Sequence, residues 1–289
     1  MTGTPAPGPL IDRATGADAP ARWLADMAGR HRDMIDRMLD QAHPAWQPVL
    51  LLGLHALSRK DAEYLPALLD GAFLPTKARL FAAFSRAPEA TRYVLVGEGP
   101  YPREASATGV CFMDGAVDSL WSTKGLSTAV NRATSLRNFM KMLLVADGAL
   151  AAERTSGDAL TGVAARAVLS DSGRIKTLPE LQENLVMRGF LLLNAALVFR
   201  ADVPPAQEAR AWRPFLEVIL AHLLQTAIEA GIDPPTLVLW GKIAAQIDGF
   251  AAASMFPRSA AEHPYNLSFI TNPAMQALFR PMNLLQSRI

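Results

Sequence analysis

Two patterns of apolar residues divide the chain. Between residues 21 and 84, apolar side chains recur every three or four positions, which predicts a series of helices. From residue 92 onward, three compact apolar runs appear: Arg92–Gly97, Gly189–Asn194 and Thr236–Trp240. Because these runs do not alternate with polar residues, we predict strands that are buried on both faces of a sheet.

Helical segments lie between and after the predicted strands. The expected helices cover residues 135–145, 179–187, 212–230 and 242–247, and Ser135 is a candidate N-cap for the first of them. Residues 146–176 mix Ala, Gly, Ser and Asp and are left unassigned. Long helices between strands require crossover connections, so the sheet should be mostly parallel.

The predicted fold class is α/β, with three layers (α/β/α) around a central, mostly parallel sheet. Residues 1–20 are rich in Pro, Gly, Ala and Thr, and we expect them to form a flexible leader. Residues 21–44 are expected to form a helical extension, and residues 45–289 the α/β domain. Ligands bind at the carboxyl ends of strands in such sheets, so the loops after the three strands should form one functional rim.

Composition and charge narrow the possible functions. The chain has 28 Lys and Arg residues against 27 Asp and Glu residues, a formal net charge of +1. This balance excludes the broad basic surface of a non-specific nucleic-acid binder, but it allows an enzyme that meets DNA through a local patch. The sequence shows no secretory signal and no apolar stretch of membrane length, so we expect a cytoplasmic protein without a membrane partner.

Six short segments, most of them at strand ends, combine Gly, Pro, aromatic, Asn and His residues. They are Gly97–Pro102 (GEGPYP), Gly109–Phe112 (GVCF), Ala133–Asn138 (ATSLRN), Gly189–Asn194 (GFLLLN), Leu237–Gly241 (LVLWG) and His263–Ser268 (HPYNLS). In this order, and over about residues 90–270, they resemble the motifs of the uracil-DNA glycosylase superfamily, most nearly its main family. The resemblance implies that family's α/β/α fold and an enzyme that removes uracil from DNA.

The resemblance also implies a pocket for a base that is flipped out of DNA. Tyr101 matches the tyrosine that excludes the thymine methyl group, Phe112 the ring on which uracil stacks, and Asn194 the asparagine that reads the base edge. Gly97 belongs to the same base-binding set. His263 matches the histidine that stabilises negative charge on the leaving base. Each of these residues also has a structural alternative, since aromatic and polar side chains near strand ends often serve packing alone.

The residues that depart from the family pattern stand at positions that take part in catalysis. Gly99 stands where the family motif GQDPYH has the aspartate that positions the attacking water, and Pro102 replaces its histidine. Glu98 is the candidate replacement carboxylate, and Asp114 is a less favoured second one. Branches of the superfamily with an acid at this second motif position usually bind an iron–sulfur cluster through cysteines. A chain whose single cysteine is Cys111 cannot do so.

Contacts with DNA are less well marked in the sequence. The resemblance implies phosphate contacts from Ser135 and Ser268, and Asn266 is a further candidate donor. The family inserts a leucine into the duplex, and Leu278 or Met275 is a candidate for such an apolar wedge. A C-terminal helix that packs on the sheet explains Leu278 equally well.

The leading hypothesis is a uracil-DNA glycosylase-like protein of base-excision repair that needs no metal and no cofactor. The first alternative is a catalytically weak or inactive relative that binds DNA or a nucleobase without turnover. An enzyme for another nucleobase, or a protein-interaction module built on the helical extension, is also considered. Protein partners are left open.

Overall fold

Four parallel strands form the central sheet. The computed structural model describes residues 18–287, and within them the strands are β1 (Tyr93–Gly97), β2 (Trp121–Ser122), β3 (Gly125–Leu126), β4 (Phe190–Asn194), β5 (Thr236–Trp240) and β6 (Arg258–Ala261). The sheet order is β4-β1-β5-β6, all parallel, while β2 and β3 form a separate antiparallel hairpin. Gly97 at the end of β1 pairs in register with Asn194 at the end of β4.

Eleven α-helices surround this sheet within the described residues. They are α1 (Ala19–Asp26), α2 (Gly29–Leu39), α3 (Gln47–Lys60), α4 (Tyr64–Asp70), α5 (Thr128–Arg132), α6 (Thr134–Ala146), α7 (Gly157–Ala167), α8 (Leu178–Met187), α9 (Pro205–Ala230), α10 (Ile243–Ile247) and α11 (Pro273–Phe279). Single 3-10 turns cover Pro44–Trp46, Arg79–Phe81, Pro88–Ala90, Ala251–Met255, Leu267–Thr271 and Arg280–Met282.

The two faces of the sheet carry separate hydrophobic cores. Successive side chains of a strand point to opposite faces, so Val94 and Val96 of β1 join one core while Leu95 joins the other. The first core includes Trp46 and residues of α3 and α9, and the second includes residues of α6, α8 and α11. The strands are therefore buried on both faces, which confirms the predicted α/β/α layering.

The N-terminal helices share the first of these cores. Residues 1–17 of the predicted leader lie outside the described residues. Helices α1 and α2 lie in the segment predicted to be helical, and Ile35, Met38 and Leu39 of α2 are buried in the same core as Leu50 of α3. The division of the chain at residue 45 stays a prediction.

One strand of the sheet was not predicted. Strand β6 has the sequence Arg-Ser-Ala-Ala and lies at the sheet edge, where alternate residues are exposed. Without an apolar run, the segment carries no strand signal. Residues 146–176, which were left unassigned, contain α7, and its contacts are with the β2–β3 hairpin.

Helix boundaries differ from the predictions in three places. Helix α9 begins seven residues before the predicted Trp212, because Pro205 occupies its first turn, where a missing N–H costs nothing. The N-cap of α6 is Ala133, so Ser135 lies inside the first turn and the prediction of a Ser135 cap is wrong. At the end of the segment predicted to be a series of helices, the apolar pattern of residues 77–84 forms only a 3-10 turn, Arg79–Phe81. Within residues 18–287, no helix combines the length and apolar character needed to cross a membrane.

Candidate active site

A cleft of about 210 Å³ opens at the carboxyl edge of the sheet. Its lining includes residues from six separate segments: Gly97, Glu98, Gly99, Tyr101, Phe112, Ser135, Asn194, Trp240 and His263. Pockets for drug-sized ligands usually measure roughly 300–1,000 Å³, so this smaller cleft suits a ligand of about one ring. The functional rim expected from the strand ends is thus present.

Gly97 and Asn194 form the inner wall of the cleft. A Cβ atom on Gly97 would lie 2.9 Å from Oδ1 of Asn194 and 3.1 Å from Cβ of Cys111. Real Cβ atoms do not approach other atoms this closely, so the site requires glycine here. Because residue 97 has no side chain, the Asn194 amide can sit against the end of β1.

The Asn194 amide is arranged for a ligand. The residue is 5% exposed, and among residues 18–287 no hydrogen-bond partner of its side chain is found. Because Asn194 lines the cleft, its amide is open to a ligand there. An asparagine amide can donate and accept at the same time, which matches a base edge that presents one acceptor and one donor.

Phe112 lies at the cleft in a strained backbone conformation. Its φ of +66° is in the left-handed region, which non-glycine residues seldom adopt. Its ring makes edge contacts with Phe139 and Trp240, at centroid distances of 5.3 and 5.2 Å. Such strain persists only where the surroundings impose it, and it is common at functional sites. Two aromatic neighbours therefore hold the Phe112 ring in place beside the cleft.

Tyr101 presents a neutral phenol to the same cleft. Burial, with a smaller contribution from the charge of Asp114, raises the pKa of Tyr101 to about 12. Asp114 itself does not line the cleft. Its carboxylate accepts a hydrogen bond from the Ala116 backbone and lies 3.6 Å from the Arg103 guanidinium, so it has a structural role.

His263 is held as a neutral imidazole with a defined tautomer. The backbone N–H of Tyr265 donates to its Nδ1 atom at 3.1 Å, so in the neutral ring the proton lies on Nε2. Burial lowers the pKa of His263, and the charge of Glu98 opposes this shift in part. Nε2–H is therefore available as a donor at neutral pH.

The close packing of His263 depends on a second glycine. Gly241 follows β5 with a φ of +65°, and a Cβ atom there would lie 2.9 Å from Cβ of His263. The L-W-G strand end thus brings the histidine loop against the sheet.

The loop after His263 exposes two large apolar side chains. Tyr265 is 67% exposed and Leu267 is 69% exposed. The predicted wedge residues are placed differently: Met275 is completely buried, and Leu278 packs against the second core. The wedge prediction is therefore wrong in its residues, and Leu267 is the exposed leucine beside the cleft.

The predicted phosphate contacts are divided between two places. Ser135 lines the cleft at the start of α6. Asn266 and Ser268 lie on the exposed loop outside it, and the Ser268 hydroxyl hydrogen-bonds the Glu262 carboxylate.

Neither the Cys111 thiol nor a cluster of metal ligands adds a further reactive group among the described residues. Cys111 is buried beneath the cleft, and burial raises the pKa of its thiol to about 12. In the part of the chain that the structure describes, no group of three or more His, Cys, Asp or Glu residues could hold a metal ion.

Comparison with known proteins relates these residues to one family. No family model matches the chain. Uracil-DNA glycosylase 2 from Streptomyces coelicolor is 26% identical over 176 residues, which cover 61% of this chain and 59% of that protein, less than two thirds of its length. Uracil-DNA glycosylase from Corynebacterium efficiens is 25% identical over 228 residues, 78% of each chain.

A solved structure matches over a greater length and at higher identity. The crystal structure of wild-type UNG from Nitratifractor salsuginis is 38% identical, covers 91% of this chain and 100% of its own, and superposes with a TM-score of 0.78. The chain belongs to the uracil-DNA glycosylase superfamily. The resemblance inferred from the six motif segments is thereby confirmed, and so is the α/β fold.

Gly99 occupies the position at which the resemblance predicted a catalytic aspartate. Gly99 lines the cleft, and a Cβ atom there would meet its nearest neighbour, the Ala196 carbonyl oxygen, at 3.7 Å. This is an ordinary contact distance, so packing does not require glycine at residue 99. Glu98 also lines the cleft, and its carboxylate is exposed and close enough to act on His263.

Sequence reasoning missed the role of one residue of the superfamily motifs. Asn138 of α6 is fully buried, and its amide nitrogen lies 2.7 Å from the Pro264 carbonyl oxygen and 3.2 Å from that of Tyr265. The sequence offered one signal, an asparagine inside an otherwise apolar helical pattern. Its partners are more than 120 residues away in the chain and could not be read from it.

Proposed function

We propose that this protein is a uracil-DNA glycosylase, which hydrolyses the N-glycosidic bond of a uracil flipped out of DNA. The observation that supports this function most directly is that one cleft of base-like size is lined by Tyr101, Phe112, Asn194 and His263, which come from four separate segments. Membership of the superfamily and relatives named uracil-DNA glycosylase support the same function. An inactive relative gains no support from these comparisons.

Three side chains account for selection of the base. The Phe112 ring, held by its aromatic neighbours, provides a face for stacking. The Asn194 amide accepts from N3–H of uracil and donates to O4, whereas cytosine presents the opposite pattern. The neutral Tyr101 phenol fills the space that a thymine methyl group would need.

Bond cleavage places negative charge on the leaving base. Water oxygen forms a bond to the sugar anomeric carbon, the bond from that carbon to N1 of uracil breaks, and its electron pair moves into the uracil ring and O2. The His263 Nε2–H donates a hydrogen bond to O2 as this charge develops. A positioned donor of this kind typically contributes about 10²–10³-fold to the rate.

Glu98 is the candidate base for the attacking water. Its carboxylate accepts the proton that the water loses, and the backbone around Gly99 helps to place the water molecule. General-base catalysis contributes about 10²–10⁴-fold. All of these steps use side chains and backbone of the chain itself, so we expect no metal and no cofactor.

The exposed loop provides the contact with DNA. Leu267 can occupy the space that a flipped base leaves in the duplex, while Ser135 and Asn266 are candidate phosphate donors. The Ser268 hydroxyl would have to turn from the Glu262 carboxylate to a phosphate to join them. Binding to DNA and a cytoplasmic location remain predictions for this chain.

Uracil excision from single- and double-stranded oligonucleotides tests the proposal. The parent protein should release uracil and leave an abasic site, and His263→Ala and Glu98→Gln should each lose about 10²-fold or more. At Gly99 a Cβ atom has ordinary contact distances, so Gly99→Asp should retain or increase activity. A parent that binds uracil DNA without excision, with activity gained in Gly99→Asp, would instead identify a relative that has lost turnover.

A further inference from the structure

The loop that carries His263 is exposed on its outer side. Tyr265, Asn266, Leu267 and Ser268 all lie at the surface, and two of these side chains are large and apolar. Side-chain packing on the outside therefore does not hold this loop. Its position has to be fixed from its inner side and at its ends.

The buried side chain of Asn138 holds the inner side of the loop. The amide nitrogen of Asn138 lies 2.7, 3.2 and 3.4 Å from three successive carbonyl oxygens, those of Pro264, Tyr265 and Asn266. Asn138 has no exposed surface. Two amide protons shared among three oxygens form a bifurcated arrangement, which ties this turn of the loop to α6.

Contacts at the two ends complete the attachment. The backbone N–H of Asn266 donates to the His263 carbonyl oxygen at 2.9 Å and closes the turn. Farther along, the Asn272 amide donates to Glu262 at 2.8 Å. Neither contact fixes the direction in which the Tyr265 N–H points. That N–H belongs to the same peptide plane as the Pro264 carbonyl, which Asn138 holds.

We propose that Asn138 is a positioning residue: by holding the Pro264–Asn266 carbonyls, it keeps the Tyr265 N–H on Nδ1 of His263 and so leaves Nε2–H as the donor to the substrate. The chemistry requires a donor at residue 138. A carboxylate would place acceptor oxygens against carbonyl oxygens, and an apolar side chain would leave buried carbonyls without partners.

The structure contains a matched control for this arrangement. Asn184 of α8 is also a buried asparagine, and its amide donates to two backbone carbonyls, those of Leu284 and Gln286, at 2.8 and 2.9 Å. These two hydrogen bonds join α8 to the C-terminal segment. Neither Asn184 nor its two partners line the cleft. Loss of the Asn184 amide should therefore affect stability without affecting His263.

Nuclear magnetic resonance of His263 gives a readout that needs no substrate. In the parent, the ring should be the Nε2–H tautomer, with a titration midpoint below the ordinary 6.5. Burial lowers the pKa of His263, and the charge of Glu98, in the loop after β1, only partly opposes this shift. In Asn138→Asp and Asn138→Ala, the tautomers should mix and the midpoint should move towards 6.5. Asn184→Asp and Asn184→Ala should leave both unchanged.

Kinetics provide the second readout and depend on the proposed function. Asn138→Ala should lower kcat for uracil excision about 10²-fold, as expected when a catalytic group is misplaced, with a smaller change in KM. The Asn184 variants should keep the parent kcat at a temperature where all variants are folded. The alanine substitution introduces no charge and is expected to fold. Asn138→Ala therefore tests the proposal if Asn138→Asp does not fold.

The outcomes separate the two proposals. If His263 keeps its tautomer and midpoint in Asn138→Ala, or if the Asn138 and Asn184 variants change it equally, the positioning role is wrong. If the tautomer changes as expected but the parent excises no uracil, the positioning role stands and the proposed function fails.

Discussion

A Cβ atom on Gly97 would lie 2.9 Å from Oδ1 of Asn194, a residue of the neighbouring strand that lines the cleft. Because these residues are paired in register at the ends of β1 and β4, neither backbone can move away without disturbing the sheet. The space for the Asn194 amide is thus provided by the absence of a side chain on its neighbour.

Gly97→Ala should therefore impair base recognition more than folding. The added methyl group has to displace the Asn194 amide, since the backbone is fixed, and we expect a loss of about 10²-fold in kcat/KM for uracil excision. The comparison with Gly99→Ala, whose Cβ has ordinary contact distances, isolates the effect of the displaced amide. Equal effects of the two substitutions would contradict this explanation.

The sequence predicted the residues that line the cleft better than it predicted the residues that hold them in place. Asn194 ends a predicted strand and Tyr101 follows another, and the strand ends of a parallel sheet meet at one edge. Phe112 follows no strand and was identified through the resemblance to the family motifs alone. The contact of Asn138 with the histidine loop, and the close approach of Gly241 to the same loop, depend on the path of residues distant in the chain. No local pattern encodes that path.

The activity should depend on the protonation of His263. Its pKa is lowered chiefly by burial, so the neutral ring persists to pH values below 6.5, and excision should decline only as the pH falls through that lowered pKa. Protonation replaces the Nδ1 acceptor with a donor and breaks the bond from Tyr265. Since Glu98 raises this pKa, Glu98→Gln should move the His263 titration, measured by nuclear magnetic resonance, to still lower pH. A midpoint at or above 6.5 in the parent would be inconsistent with the structure.

Leu267 should matter more for duplex DNA than for single strands. It is 69% exposed on the loop that begins at His263, and an apolar wedge fills the gap that a flipped base leaves in a stacked duplex. Leu267→Ala should lower excision from duplex DNA about 10-fold or more, with little change for single strands. Ile228→Ala, a change at an exposed apolar residue of α9, should affect neither substrate, and equal losses on both substrates would argue against a wedge.

Tyr265 should contribute to the binding of single-stranded DNA. Its ring is 67% exposed, and stacking of a base on an aromatic side chain contributes about 1–3 kcal/mol. Tyr265→Ala should therefore weaken binding to a single-stranded oligonucleotide by roughly 5- to 150-fold, while Tyr265→Phe should bind as the parent does. Fluorescence anisotropy measures both, and weak binding by the phenylalanine variant would indicate that the hydroxyl, rather than stacking, is responsible.

A buried carboxylate far from the cleft should control stability rather than activity. Glu208 of α9 is 2% exposed and accepts hydrogen bonds from the Tyr64 hydroxyl and the Arg200 guanidinium, both at 2.5 Å. Glu208→Gln leaves the half-buried arginine charge without its counterion, so it should lower the free energy of unfolding by about 3–5 kcal/mol. On the same helix, Glu217 pairs with Arg213 at the surface, and Glu217→Gln should cost no more than about 1 kcal/mol. Urea unfolding compares the two variants, and similar losses would show that burial does not strengthen the Glu208 contacts.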